Sequence, residues 1–387
     1  MNLQKQQEHK IMEITKIVIT GGPCAGKTTA MNWIQHHFTR MGYTVLFIPE
    51  TATELITGGV APWTCGSNLD YQKCQVRLQL DKEAVFEQAA RTMNADKILL
   101  ICDRGFMDNR AYMNDEEFAE AVASVNGNVV SLRDSYDAVF HLVTAAKGAK
   151  EFYTTENNAA RTETIEEACA MDDKLIAAWS GHPHLRIIDN STSFDEKLKR
   201  LMNEMISFLG IENPIETEKK FLIRYPDIQW LENNPFCHKI DIIQTYLHAP
   251  EGEERRLRQR GENGHYICYV TTKKPIGDDG LKRVETEQRI SENEYLRLMS
   301  MADETRLPIH KTRYCLIYEQ QYFEIDVYPF WKDRAIAEIE LSQDDQKITF
   351  PPEIQVLREI TGEKAYKNAA LAEMLMKKEK GNEVPLS

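Results

Sequence analysis

Eight consecutive residues, Gly21-Gly22-Pro23-Cys24-Ala25-Gly26-Lys27-Thr28, constrain this 387-residue chain more than any other stretch. They fit G-x-x-x-x-G-K-[ST], a turn that works only between a strand and a helix. Both flanks are present. Residues 14–20 form a short β-branched run, and residues from about 28 to 40 read as a helix. The glycines let backbone N–H groups approach phosphate oxygens, and the helix N-terminus adds its positive dipole end. Lys27 is expected to reach the β- and γ-phosphates and Thr28 to ligand Mg²⁺, with Thr29 next to it in the nucleotide-binding segment.

The chain around this turn alternates strand and helix signals. Thr44–Ile48, 97–102, 138–143 and Leu185–Ile188 are apolar runs of buried-strand type, separated by helical stretches at about 78–93 and 194–209. That alternation predicts a parallel sheet covered on both faces. Asp103 ends the run 97–102. A carboxylate there lies beside the phosphate site and can hold Mg²⁺, or it can cap the next helix. Arg104 follows it. Glu50 ends the second strand, where an acid can act as a base, touch Mg²⁺ through water, or cap. Residues 147–172 are polar and irregular before turning helical. Arg161 in this stretch could close on the phosphates as part of a lid, or pair with Glu163 or Glu166.

GGPCAGKTT, PETATEL, CDRG and FYTTENNAARTET together resemble the AAA-type P-loop domain shared by nicotinamide riboside kinases and the TRP-channel translocation-defect proteins. The resemblance covers about residues 12–205.

The style changes near residue 210, so we expect a P-loop domain over 1–210 and a second domain over 211–387. In the second, charged residues recur at period two. The series runs Glu216, Glu218 and Lys220; Arg256, Arg258 and Arg260; Thr271 and Lys273; Arg283, Glu285 and Glu287; Lys311 and Arg313; Glu324 and Asp326; Glu338 and Glu340. Alternate residues of a strand share a face. One sheet therefore carries mixed acids and bases on one side and Leu257, Val284, Ile325 and Ile339 on the other. Such a face is either solvated or closed around a lumen. Strand parity with Thr271 favours Lys273 over Lys274 for the charged side.

The ordered set E-x-E-x-K, R-x-R, E-x-E and E-I-E-L resembles the CYTH superfamily, the triphosphate tunnel metalloenzymes, over about residues 214–375. That resemblance implies an antiparallel β-tunnel in an α+β domain. It implies metal binding by Glu216, Glu218, Glu338 and Glu340, with Asp326, Glu285 and Glu287 serving a second metal or its water. It implies phosphate binding by Lys220, Arg256, Arg258, Lys273, Arg283, Lys311 and Arg313. The two-domain order is similar to translocation-defect relatives, for which GTP and phospholipid binding are implied.

Net charge and cysteines narrow the partners. A formal charge of −13 argues against broad nucleic-acid or membrane adhesion. The eight cysteines form no C-x-x-C pair, so a zinc site is not expected and reduced thiols in a cytoplasmic protein are. No run of 18 apolar residues predicts a membrane span. Three activities stay open: a Mg²⁺- or Mn²⁺-dependent triphosphatase, a small-molecule kinase with Glu50 as base, and a binder of GTP or ATP and of phosphorylated headgroups.

Overall fold

The computed structural model describes residues 12–149, 164–211, 218–276, 282–341 and 346–381. The chain forms two compact units, Met1–Ile215 and Glu216–Ser387.

The first unit runs β1 (Glu13–Gly21), α1 (Lys27–Arg40), β2 (Thr44–Ile48), α2 (Thr51–Thr57), α3 (Asn68–Ala90), β3 (Lys97–Asp103), α4 (Asp115–Ser124), α5 (Val129–Arg133), β4 (Ala138–Leu142), α6 (Ile165–Trp179), β5 (Leu185–Ile188) and α7 (Phe194–Phe208). Its five strands pair in parallel in the order β2-β3-β1-β4-β5. Their apolar runs are buried on both faces, as a covered parallel sheet requires. Ala30, Ile34 and Phe38 of α1 pack with Leu198, Leu201 and Met205 of α7 against one face; Ala90 and Phe86 of α3 pack against the other.

α3 begins ten residues before its expected start at 78. Ser67 caps it by accepting from Asp70 N at 3.1 Å. The early turns bury Gln72, Gln75 and Gln79, so the helix has a packed face with no apolar period. Those amides are satisfied in part by Asn109, which donates to Gln79 Oε1 at 2.9 Å.

The second unit runs β6 (Glu218–Arg224), α8 (Ile228–Asn233), β7 (Cys237–Leu247), β8 (Glu254–Glu262), β9 (His265–Ile276), β10 (Lys282–Ile290), α9 (Glu292–Met299), β11 (Ile309–Tyr318), β12 (Gln321–Val327), β13 (Arg334–Glu340), β14 (Val356–Glu359) and α10 (Asn368–Glu379). Nine antiparallel strands form one sheet in the order β10-β9-β8-β7-β11-β12-β13-β6-β14. The pairing registers put the charged rows on a single face. Glu338 stands opposite Lys220 and Glu324, Asp326 opposite Arg313, Ile242 opposite both Lys311 and Arg260, and Thr271 opposite both Arg256 and Glu287.

The other face is apolar. Phe221, Ile223, Leu316, Phe323, Ile325 and Ile339 form its core with Leu231 of α8, while Leu257 and Cys268 pack with Tyr295 and Leu298 of α9. Yet the charged face is also shielded: Lys311 is 6% exposed, Arg313 8%, Asp326 0% and Glu338 8%. An antiparallel sheet of nine strands with a shielded charged face and an apolar core on the other side is that of an antiparallel β-tunnel. Part of the charged-side parity is apolar: Leu222, Tyr246, Ile309, Tyr328 and Ile336 meet Leu371 and Ala372 of α10.

β7 and β14 were not expected from the sequence. β7 turns Ile240, Ile242, Gln244 and Tyr246 toward the charged face, so it lacks the period-two charge of its neighbours. No helix of the described residues is long and apolar enough to cross a membrane.

Candidate functional site

Two places concentrate chemistry, one in each unit. In the first, β1 ends at Gly21 and the chain turns through the glycine-rich loop into α1. Gly26 sits at φ 92° as the residue before the helix, a left-handed conformation that glycine adopts without strain. A Cβ at Gly22 would lie 2.8 Å from Asp172 Oδ1, so this position must also be glycine. Thr28 and Thr29 are exposed at the start of α1.

Lys27 lies among charges drawn from the ends of β2 and β3. Burial and the Arg104 guanidinium lower its pKa, against opposing pulls from Asp103, Glu50 and Asp108. Asp103 behaves in the opposite way. Burial raises its pKa although Lys27 lies close, and its Oδ1 is buried with no hydrogen-bond partner among the described residues. A carboxylate oxygen left bare near Lys27 matches the hard oxygen donors that Mg²⁺ takes. Asp103 does not cap the next helical turn; Asp108 does, accepting from Gly105 N at 2.7 Å.

Glu50 occupies the cap position of α2 but accepts no backbone N–H there. Its carboxylate takes Arg104 Nε at 2.5 Å and Thr53 Oγ1 at 2.6 Å. Burial pushes its pKa up, but Arg104 and Lys27 outweigh this and hold it below the ordinary glutamate value. Arg104 itself lies at φ 69°, a strained conformation for arginine held in place by this pairing. Arg161, on which the lid expectation rests, lies outside the described residues.

An outer layer braces the loop, and its Asp172, Thr144 and His141 were not singled out from sequence. Asp172 of α6 is fully buried and accepts from Gly22 N at 3.0 Å, Thr144 N at 3.1 Å and Lys147 Nζ at 2.9 Å, with His141 Nε2 at 2.9 Å. Asn190 donates to the carbonyls of Thr144 and Lys147, each at 2.7 Å, and Asp189 holds Arg200 at 2.8 Å. Both side chains, just after β5, are thereby engaged in bracing.

In the second unit the charged face is a network of ion pairs. Lys220 donates to Glu338 at 2.6 Å and lies 3.2 Å from Glu218. Arg313 gathers three carboxylates: Asp326 at 2.7 Å through two nitrogens, Glu338 at 3.1 Å, and Glu324. Lys311 pairs with Asp326, and Arg258 with Glu287. Thr271 donates to the same Glu287 oxygen at 2.9 Å. Arg256 and Arg260 are in the adjacent strand positions. Lys273 is opposite Glu254 in register, on the charged face, whereas Lys274 points to the other side.

These pairs set the titration of the site. Burial raises the Glu338 carboxyl, but Lys220, Arg313 and Lys311 together drive it far below the usual range. Glu218 moves the other way: burial and the Glu338 carboxylate raise it, and Lys220 only partly compensates. Burial and Arg313 lower Lys311. Two carboxylates that repel one another and share a single ammonium offer oxygen donors to a divalent cation. Glu340 is exposed and opposite Glu218 in register. Among the described residues no group of three or more His, Cys, Asp or Glu side chains gathers into a ready-made metal site. Glu216 and the side chains of Arg283 and Glu285 lie outside the described residues.

Similarity to known proteins divides along the chain. A family model described as an AAA domain matches residues 16–197. An inorganic triphosphatase of Nitrosomonas europaea is 33% identical over 161 residues, which is 41% of this chain and 96% of that relative. Two solved structures each cover 41% of this chain. One, described as a hypothetical protein, is 30% identical with 97% of its own length covered and a TM-score of 0.30. The other, described as an inorganic triphosphatase, is 29% identical with 94% covered and a TM-score of 0.29.

Proposed function

The chain belongs to the inorganic triphosphatase family, and on that premise we propose that its second unit binds and hydrolyses triphosphate chains with a divalent cation while its first unit binds a nucleoside triphosphate. The observation that carries the reading is the shielded charged face, where acids and bases pair with one another.

A phosphate chain entering the lumen exchanges partners with that face. Its oxygens replace Glu287 on Arg258, and Glu324 and Glu338 on Arg313; Lys220, Arg256, Lys273 and Lys311 complete the cationic wall. The displaced carboxylates need a new countercharge, because a buried unpaired anion costs several kcal/mol. Glu218 and Glu338 would hold Mg²⁺ or Mn²⁺ in that role, with Glu340, opposite Glu218 in register, and Glu216, two residues before it in the sequence, as further candidates. The cation, when bound, neutralises phosphate charge and acidifies water. Arg and Lys side chains fixed by β8 and β11 stabilise the negative charge that spreads as the terminal P–O bond breaks. Asp326, fully buried between Lys311 and Arg313, orients these bases; this fits it better than a role as metal ligand.

In the first unit, GTP or ATP would lie with its phosphates on Gly21–Thr29, Lys27 reaching the terminal groups. Thr28 and the bare Asp103 oxygen would hold Mg²⁺. Glu50, held as an anion by Arg104 and Thr53, is poorly placed to take a proton, which weighs against a kinase reading with Glu50 as base.

The test is phosphate release from tripolyphosphate with Mg²⁺ or Mn²⁺. Release should be metal-dependent and lost in Glu218→Ala. Metal-dependent binding without any release would leave a binder rather than a hydrolase.

A further inference from the structure

Three consecutive carbonyls of the glycine-rich loop are bonded from outside. Thr144 Oγ1 donates to Pro23 O, Ala145 N to Cys24 O at 3.4 Å, and Lys197 Nζ to Ala25 O at 3.4 Å. In a trans peptide the N–H points opposite to the C=O, so the Pro23 and Ala25 carbonyls, drawn outward, aim the N–H groups of Cys24 and Gly26 to the opposite side, while the Ala25 N–H between them donates to Gly22 O at 3.3 Å. That is the arrangement a phosphate cradle needs.

Lys197 differs from the other two donors because it can lose a proton. It stands on α7, is 2% exposed, and makes its two shorter bonds to Val143 O at 2.6 Å and Asn190 Oδ1 at 2.7 Å. All three acceptors are neutral. We propose that Lys197 is a positioning residue for nucleotide binding, its ammonium holding the Ala25 carbonyl away from the phosphates, so that loss of the ammonium weakens the nucleotide site. This rests on the nucleotide reading of the first unit.

The chemistry follows from counting donors. An ammonium has three N–H bonds and an amine only two. Deprotonation therefore frees one acceptor, and the longest bond, to Ala25 O, yields first. Burial lowers the Lys197 pKa to about 8; Asp172 of α6 opposes this, Arg200 of α7 adds to it, and Asp189 after β5 opposes it. The loss thus falls in an accessible range.

Unfolding does not mimic the effect. Lys197 has its folded pKa below the ordinary lysine value of 10.5, so between about 8 and 10.5 the unfolded chain binds more protons and stability gains from this group as pH rises. Nucleotide affinity should fall over a window in which this group makes the fold no weaker.

The experiment is calorimetric titration of the full chain with ATP and Mg²⁺ from pH 7 to 9.5, in wild type and Lys197→Met, with thermal melts at each pH. Wild type should weaken about tenfold through a midpoint near 8, in line with one hydrogen bond from a charged donor. Lys197→Met should bind weakly and show no such midpoint. If the variant binds like wild type at pH 7, or keeps the wild-type pH profile, the proposal is overturned. Should the variant fail to fold, the wild-type profile decides alone, and a flat profile overturns it. Absence of ATP and GTP binding by wild type at pH 7 would instead remove the nucleotide reading, and this inference with it.

Discussion

The two units meet phosphate in opposite ways. The first holds backbone donors open: its glycine-rich loop is braced from behind by Asp172, Thr144 and Lys197, and one Asp103 oxygen is left bare. The second holds its charges closed, with Arg313 spread over three carboxylates and Lys311 against Asp326. A backbone cradle has nothing to give up on binding, whereas a paired lumen must exchange one set of partners for another. The first site should therefore fail when its single cation or its brace is lost. The second should fail when an acid is lost, because acids there organise bases and receive the metal.

The largest effect expected from this contrast is on turnover. Glu338→Ala removes the carboxylate shared by Lys220 and Arg313, and tripolyphosphate turnover should fall by about 100-fold or more, on the scale of losing a preorganised electrostatic group. ATP binding by the same variant should not change. Equal loss of both would mean that the units do not act separately.

Next in size is stability. Asp326→Ala leaves Lys311 and Arg313 buried without their main partner, at a cost of about 3–5 kcal/mol. Denaturant unfolding followed by a probe in the second unit should show that loss, and a probe in the first unit should not. A shift below 1 kcal/mol would show that the charged face is hydrated.

The acid limb of activity comes third. Glu218 has its pKa raised above the ordinary glutamate value of 4.5, so metal-dependent turnover should fall on the acid side at a pH above that value. Stability has the reverse sign for Glu338. Its folded pKa is depressed, so its contribution is present above the unfolded value and disappears only as pH falls through the folded one. Turnover should thus fade in mild acid while the fold persists. Loss of both together would break the assignment.

How much of this could be read from sequence depended on whether partners were near in the chain. The glycine-rich loop, the strand before it and the helix after it are contiguous, and all three stand as expected. The charged rows were legible because strand parity is local; the register of Thr271 and Lys273 follows it. β7 was not legible because its inward residues, Ile240 to Tyr246, look like any apolar strand, and α3 was cut short because its buried face is glutamine. The brace around the loop was invisible for a different reason. Asp172 serves residues 22, 141, 144 and 147, two of them through backbone N–H groups, and no local pattern marks such a carboxylate.

The smallest effect concerns that brace. Thr144→Val removes the hydroxyl that bonds Pro23 O, worth about 0.5–1.5 kcal/mol, so ATP binding should weaken only a few-fold. A loss as large as that of Lys27→Ala would show that the loop depends on one bond rather than on a layer.

The most direct measurement is binding of tripolyphosphate to the Lys27→Ala chain by calorimetry, with and without Mn²⁺. An enclosed charged face that acts as its own phosphate site predicts binding undiminished from wild type and strengthened by the cation. Binding that disappears with Lys27, metal or no metal, would place all phosphate recognition in the first unit and contradict the account.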